Sequence, residues 1–192
     1  MRSHRKAIGI SLVAGAAVVA AVALPLFQPW RLFTDTVVDE ALPGAVPSTA
    51  PSLMPPSSKA PPTISGERPS SSTPSTPTAL GRGTFITHEH DTTGTVAIVR
   101  LTDGRRILRL ENLRTSDGPD LEVWLSDAKV VEGKAGWHVF DDGKATSLGQ
   151  LKGNQGSQNY VIPDDVDLTD FSSVSIWCNR FNVSFGAAEL KT

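Results

Sequence analysis

The stretch Thr95-Val96-Ala97-Ile98-Val99-Arg100-Leu101-Thr102-Asp103-Gly104-Arg105-Arg106-Ile107-Leu108-Arg109-Leu110-Glu111-Asn112-Leu113 decides the fold. Two runs rich in β-branched and aliphatic residues flank Asp103-Gly104, a dipeptide suited to the left-handed backbone of a tight hairpin turn. Val96, Ala97, Ile98 and Val99 are apolar without alternation, which predicts a central strand covered on both faces. Outward from this hairpin, further strands are predicted at 84–87, 121–126, 137–140, 159–162, 173–178 and 181–185. Asp117-Gly118-Pro119, Asp142-Gly143 and Gly153-Asn154-Gln155-Gly156 supply the reversals between them. Leu121, Val123 and Leu125 alternate with Glu122 and Ser126, as in a half-exposed strand. No amphipathic helix of useful length interrupts the series. An all-β domain follows, expected as a single antiparallel β-sandwich over residues 81–192, whose 112 residues suffice for one core.

The remainder of the chain differs in composition. Residues 7–27 are 21 positions without a charge, preceded by Arg2, Arg5 and Lys6. As a helix they would extend about 31 Å, close to the roughly 30 Å hydrocarbon thickness of a bilayer. Trp30 and Arg31 suit the far interface, and the basic start favours a cytoplasmic N-terminus. Ala21-Val22-Ala23 also fits the small-x-small pattern of a cleaved export signal, but the apolar run continues through Leu24, Leu26 and Phe27, which favours a retained anchor. Both readings place the following domain outside the cell membrane, and the first makes the protein single-pass. Residues 43–80 contain ten Pro, nine Ser and five Thr among 38 positions, too little apolar surface to offset ordering entropy. They are expected to form a disordered linker that holds the domain tens of ångströms from the bilayer. Residues 32–42 read either as a short juxtamembrane helix or as linker. The chain thus divides into a cytoplasmic stub and anchor (1–31), a juxtamembrane segment and linker (32–80) and a β domain (81–192).

Eighteen basic and twenty acidic residues leave a net charge of −2, and the basic residues form no aromatic-interleaved stripe, so a nucleic-acid partner is not expected. Arg105, Arg106, Arg109 and Arg114 read as a solvated face. No phosphate loop, dinucleotide glycine fingerprint, His-Glu-x-x-His helix or Gly-x-Ser-x-Gly elbow occurs, and a substrate-turnover enzyme is not the favoured reading. Asp141-Asp142-Gly143 and Asp164-Asp165-Val166-Asp167 read as turn caps rather than calcium loops. His88 and His90 share one strand face at a spacing seen in metal sites. With Asp91 or Cys178 they offer ligands for copper, zinc or haem iron, but a solvated polar face explains the pair better, and no metal ligand is assigned. Asn182-Val183-Ser184 is a formal glycosylation acceptor poorly placed within a strand.

Cys178 is the single cysteine, which rules out an intrachain disulfide and a four-thiolate zinc site. Strand periodicity puts Val174, Ile176 and Cys178 on one face and Ser175 and Trp177 on the other. The apolar phase then flips to Phe181, Val183 and Phe185. Either a two-residue turn at Asn179-Arg180, pairing Cys178 with Phe181, or a bulge in one long strand restores it. Both place the thiol at an irregularity near a sheet end, where partial solvent access is expected and Arg180 can favour the thiolate by folding back. The competing readings are a small buried hydrophobe and an intermolecular disulfide with a second copy.

The blocks Phe85, His90-Asp91-Thr92-Thr93-Gly94, Leu108-Arg109-Leu110-Glu111-Asn112-Leu113, Gly118-Pro119-Asp120-Leu121-Glu122-Val123-Trp124-Leu125-Ser126, Leu148-Gly149 with Leu151-Lys152-Gly153, Gln158-Asn159-Tyr160-Val161-Ile162-Pro163, and Val174-Ser175-Ile176-Trp177-Cys178 with the segment after Phe181 occur in order. Together they resemble the DM-thirteen domain of Skeletor-type extracellular and bacterial envelope proteins. The resemblance implies a β-rich extracytoplasmic domain for electron transfer, whose characteristic cysteine acts as a bare thiol or helps hold a prosthetic group. Cys178 occupies that position, His90 matches the family's histidine before the glycine, and Trp177 adjoins the thiol. The expectation is a membrane-anchored redox module with Cys178 as its redox residue, His90, Trp177 and Arg180 as its neighbours, and an envelope redox partner. No cofactor is required by the sequence, haem and copper being the candidates. The alternative is a non-catalytic envelope binding or scaffold module.

Overall fold

A computed structural model of the chain describes residues 17, 19–25, 28, 34–44 and 76–191. Among the described residues nine strands run in chain order as β1 (Val37–Asp39), β2 (Thr78–Thr87), β3 (Thr93–Arg100), β4 (Arg106–Arg114), β5 (Leu121–Ser126), β6 (Ala145–Gln150), β7 (Gln155–Ile162), β8 (Ser173–Cys178) and β9 (Val183–Glu189). Their spatial order is β1-β7-β4-β3-β2-β9-β8-β5-β6, one continuous hydrogen-bonded sheet. The expected all-β character holds, whereas the antiparallel sandwich is corrected to a curled mixed sheet, a half-barrel. β1 runs parallel to β7. The two halves are never separate, because β2 pairs with β3 through residues 78–84 and with β9 through residues 85–87. Curling brings β6 and β7, far apart in the strand order, back into contact.

The curl creates one main core. Val96, Ile98, Leu108 and Leu110 from one half face Val123, Leu125, Val174, Ile176 and Val183 from the other, all buried. The apolar run of β3 is explained by its second face: Ala97 and Val99 join Leu101, Ile107 and the partly buried Leu42 in a separate cluster. At Asp103-Gly104 the expected reversal is present, with Gly104 at φ +89° and the Asp103 carboxylate accepting from the Arg105 amide at 3.0 Å.

Three local expectations change. Residues 137–140 form no strand; they lie in the loop of residues 127–144, which folds over the outer face of β8 and β9 and inserts Phe140 beside Trp177. β6, which the sequence did not signal, completes the sheet beside β5. Residues 34–42, read as juxtamembrane helix or linker, supply edge strand β1 and Leu42.

Much of the 7–27 run lies outside the described residues, and no described helix is long and apolar enough to cross a membrane. Residues 45–75 of the expected linker also lie outside them.

Candidate functional site

β8 ends at the site that the sequence singles out, and its two faces are chemically distinct. Val174, Ile176 and Cys178 point into the main core, while Trp177 points outward into the cluster with Phe140 and Ala187, as periodicity requires. The phase flip is resolved by neither expected device: the strand does not run on through a bulge, and the turn is longer than two residues. A four-residue turn, residues 179–182, pairs Cys178 with Val183, and a bulge between Ile176 and Trp177 shifts the register so that Ile176 faces Gly186. Neither the predicted Cys178–Phe181 pairing nor a two-residue turn occurs. Asn182 takes a left-handed φ of +54°, a conformation its short polar side chain tolerates.

The bulge is tied to the loop after β2. The Phe185 carbonyl accepts from the backbone amides of His88 at 3.1 Å and His90 at 3.4 Å. The Thr92 hydroxyl lies 3.0 Å from the same oxygen and 2.8 Å from the Thr115 hydroxyl. A Cβ at Gly186 would come within 2.5 Å of Thr92 Cβ, so this packing needs a residue without a side chain.

Cys178 is 0% exposed and belongs to the main apolar cluster with Phe85, Val123, Ile176 and Phe185. Burial pushes its thiol pKa up, with the Asp120 and Glu89 carboxylates adding to that. The backbone amides of Phe181 and Arg180 pull the other way without reversing it. The thiol is therefore protonated at neutral pH, and the expected partial solvent access is overturned. A disulfide to a second copy would require this end of the sheet to open. Arg180 lies exposed on the turn and favours the thiolate through its backbone amide. His90 packs on Phe185 with the rings tilted by 34° and their centroids 3.9 Å apart, which puts it against the cluster that encloses Cys178. A prosthetic group held by Cys178 does not fit this enclosure. Cys178 lines neither of two surface grooves of about 550 and 520 Å³, although the second takes in its strand partner Leu121, and no group of three or more His, Cys, Asp and Glu side chains gathers to hold a metal among the described residues.

His88 does not share a solvated face with His90. It is 5% exposed, with Nδ1 2.9 Å from the Ser184 hydroxyl and Nε2 3.1 Å from the Val131 carbonyl. A carbonyl can only accept, so Nε2 carries the proton and Nδ1 accepts from Ser184, whose oxygen accepts in turn from Ser175 at 2.9 Å. Burial lowers the pKa of both His88 and His90, against the opposing pull of the Val131 carbonyl on one and the Glu89 and Asp91 carboxylates on the other. The unfolded chain then binds more protons than the folded one below about pH 6.5. Stability present above that pH is lost as the pH falls toward the folded-state values. The urea midpoint should drop between pH 7 and pH 5.5, and His88→Gln should flatten the drop. An unchanged or rising midpoint would contradict neutral, buried imidazoles.

Sequence reasoning missed the outward face of β5 and β8. Trp124 stacks on Trp177 with centroids 5.3 Å apart at 29°, and Phe140 meets Trp177 edge-on at 6.3 Å. The Trp124 indole N–H donates to Glu122 Oε2 at 2.9 Å. Ser147 donates to the same oxygen at 2.6 Å, and Gln150 to Glu122 Oε1 at 3.1 Å. Partial burial pushes the Glu122 pKa up, but donors from Ser147, Trp124, Asn179 and Gln150 outweigh it and hold the carboxyl below its ordinary range. The signal available in the sequence was the shared parity of Glu122 and Trp124, opposite to Leu121, Val123 and Leu125.

No curated protein and no solved structure matches the chain. The family described as electron transfer DM13 matches residues 84–190, from the second half of β2 to the end of β9, and so takes in Cys178, Trp177, His90 and the loop that covers them. With more than half of its length matched in this way, the chain belongs to the electron transfer DM13 family.

Proposed function

We propose that the protein is a membrane-anchored electron-transfer module of the cell envelope in which Cys178 exchanges electrons from inside the core. The observation that carries the redox reading is the electron transfer DM13 match across the whole half-barrel apart from β1 and the start of β2. Burial defines the kind of chemistry. A protonated, enclosed thiol is a poor nucleophile, so thiol–disulfide exchange with a partner is disfavoured, whereas outer-sphere electron exchange needs no direct contact with the sulfur. The burial of Cys178 also favours a second reading, a scaffold whose thiol only packs.

Alkylation separates these states of the thiol. At pH 7.5 the folded protein should react with iodoacetamide at least ~10³-fold more slowly than the unfolded chain, because reaction waits for opening. Comparable rates would show an accessible thiolate. Cys178→Ala, compared with wild type for electron exchange with soluble one-electron mediators, then distinguishes the two functions. Slower exchange at retained stability supports the redox role, and unchanged exchange supports the scaffold.

The anchor reading draws on the apolar run at residues 7–27 and on Val19, Val22 and Leu24, which are 67%, 64% and 48% exposed. Docking of residues 34–42 on the domain changes its consequence. With the span ending at Phe27 and the domain beginning at Thr34, the intervening chain reaches at most ~25 Å. The Pro/Ser/Thr-rich stretch instead joins two segments of the same sheet and adds nothing to that reach. The domain is thereby kept against the bilayer, in contrast to the stand-off expected from sequence. Fluorescence quenching between a labelled domain and labelled lipid in proteoliposomes measures this distance, and a separation near 100 Å would contradict the arrangement.

A further inference from the structure

We propose that Trp124, stacked on Trp177 and hydrogen-bonded to Glu122, is the point at which the domain gives up and regains single electrons, with Glu122 taking and returning the indole proton. The inference rests on the electron-transfer reading and adds to it a location, a proton acceptor and a class of partner: an outer-sphere one-electron acceptor that docks at the β5–β6 edge.

Three features of the molecule converge there. Trp124 is only partly buried, on the strand next to edge strand β6, so an acceptor can approach its ring without opening the core. Its partner ring, Trp177, is 0% exposed and lies 5.3 Å away, centroid to centroid, so charge left on the outer indole is shared with a ring shielded from water. Its N–H already points at a carboxylate 2.9 Å away, and Ser147 and Gln150 fix that carboxylate in place. An oxidised indole is a far stronger acid than a neutral one. Loss of the electron is therefore completed by passage of the N–H proton along an existing hydrogen bond.

The step balances. Neutral Trp124, the Glu122 carboxylate and an oxidised acceptor become the neutral Trp124 radical, protonated Glu122 and the acceptor reduced by one electron. The return step takes one electron from a one-electron reductant and moves the proton back from Glu122 to the indole nitrogen.

Trp137 provides a control within the same chain. Its indole nitrogen is buried with no hydrogen-bond partner among the described residues, and the Lys134 ammonium sits 5.7 Å from its ring centroid. A cation over the ring opposes removal of an electron, and no acceptor receives the proton. Trp137 should be the harder of the two to oxidise.

The test is flash oxidation of the full-length protein by tris-bipyridine ruthenium(III), with transient absorption to distinguish the neutral tryptophanyl radical from the protonated radical cation. Wild type should give the neutral radical within the first resolved phase. Glu122→Gln should give the radical cation, with neutral-radical formation about 10²-fold slower, the scale of losing a placed proton acceptor. Trp124→Phe should remove most of the fast signal, and Trp137→Phe should leave it in place. Circular dichroism and the urea midpoint verify that each variant is folded. A Trp124→Phe protein with undiminished fast signal, or a Glu122→Gln protein that still forms the neutral radical at the wild-type rate, would overturn the proposal. Cys178→Ala in the same experiment keeps the two ideas apart. Fast radical formation with unchanged exchange to mediators retires the thiol while keeping Trp124, and loss of exchange with Trp124→Phe silent does the reverse.

Discussion

Replacing Trp177 by Ala should cost about 3–5 kcal/mol of folding stability, the range for emptying a fully buried large aromatic site. Trp177 heads the fully buried side chains by volume and is 0% exposed. Its ring is the floor on which the loop of residues 127–144 rests, through Phe140 and through the partly buried Ala128, Val130 and Val139, with Trp124 of β5 beside it. Polar contacts tie the same loop down: Ser126 Oγ donates to the Phe140 carbonyl at 3.0 Å, and the Ser184 amide to the Trp137 carbonyl at 2.8 Å. Those bonds limit how far the loop can collapse into the vacated space, so the cavity term should be near the upper end. Trp177→Phe keeps an aromatic ring against Trp124 and should cost roughly half as much or less. Urea unfolding followed by circular dichroism reads both. A loss below about 1 kcal/mol for the alanine variant would mean that the loop re-docks without its floor. Trp177→Phe also separates structure from charge sharing, because it retains the fold while removing the buried indole from the proposed oxidation site.

The sequence made the two faces of β8 legible because strand parity is strict: Val174, Ile176 and Cys178 had to share one face and Trp177 the other. It located β5 and β8 at their observed bounds and the hairpin at Asp103-Gly104 for the same reason, since local pattern and turn chemistry agree there. What parity cannot show is depth. Cys178 near a sheet end was expected to meet solvent, but the loop after β2, held by the Phe185 carbonyl, and the turn of residues 179–182 close over it. The loop is tied to a bulge at Phe185, and the apolar phase flip signals an irregularity there without showing what it brings over the thiol. His88 illustrates the same limit. Its partners, Ser184 and the Val131 carbonyl, come from positions 96 and 43 residues away, and only the curl of the sheet brings them together. The Trp124–Trp177 stack was equally hidden, since the antiparallel pairing of β5 with β8 sets Trp177 opposite Glu122 and Trp124 opposite Ser175. The parallel strand β1 was illegible because three residues, Val37–Asp39, carry too short a pattern to outweigh the proline-rich stretch that follows.

Gly156→Ala should cost on the order of 3 kcal/mol and release β1 from the sheet edge, combining backbone strain with overpacking. Gly156 has φ +101°, a conformation that side-chain-bearing residues avoid, and a Cβ there would meet the Val38 carbonyl oxygen at 2.1 Å. Strain alone would weaken the β4–β7 pairing as well, so a second variant isolates the contact. Gly153 has no left-handed backbone, yet its Cβ would lie 2.4 Å from the Thr36 carbonyl oxygen, which gives Gly153→Ala a purely steric effect of about 1–3 kcal/mol. The attachment it disrupts is polar and specific. Thr36 donates its amide to Asn154 Oδ1 at 2.7 Å, Asn154 Nδ2 donates to Asp35 at 2.8 Å, and Glu40 accepts from Lys152 at 2.8 Å and from the Asn159 amide at 2.8 Å. Lys152 and Asn159 also hold the Glu40 carboxyl below its ordinary range, so acid should loosen β1 as that carboxylate is protonated. Hydrogen exchange is the discriminating measurement. In Gly153→Ala, protection should fall at residues 36–40 and along the facing edge of β7 while β8 and β9 keep theirs; uniform loss across the sheet would show that β1 is part of the cooperative core rather than a separately opening edge. Under the membrane-anchored arrangement proposed above, local loss has a further consequence: a released β1 frees the chain between the apolar run and β2, and the tether of at most ~25 Å becomes long enough for the domain to leave the bilayer.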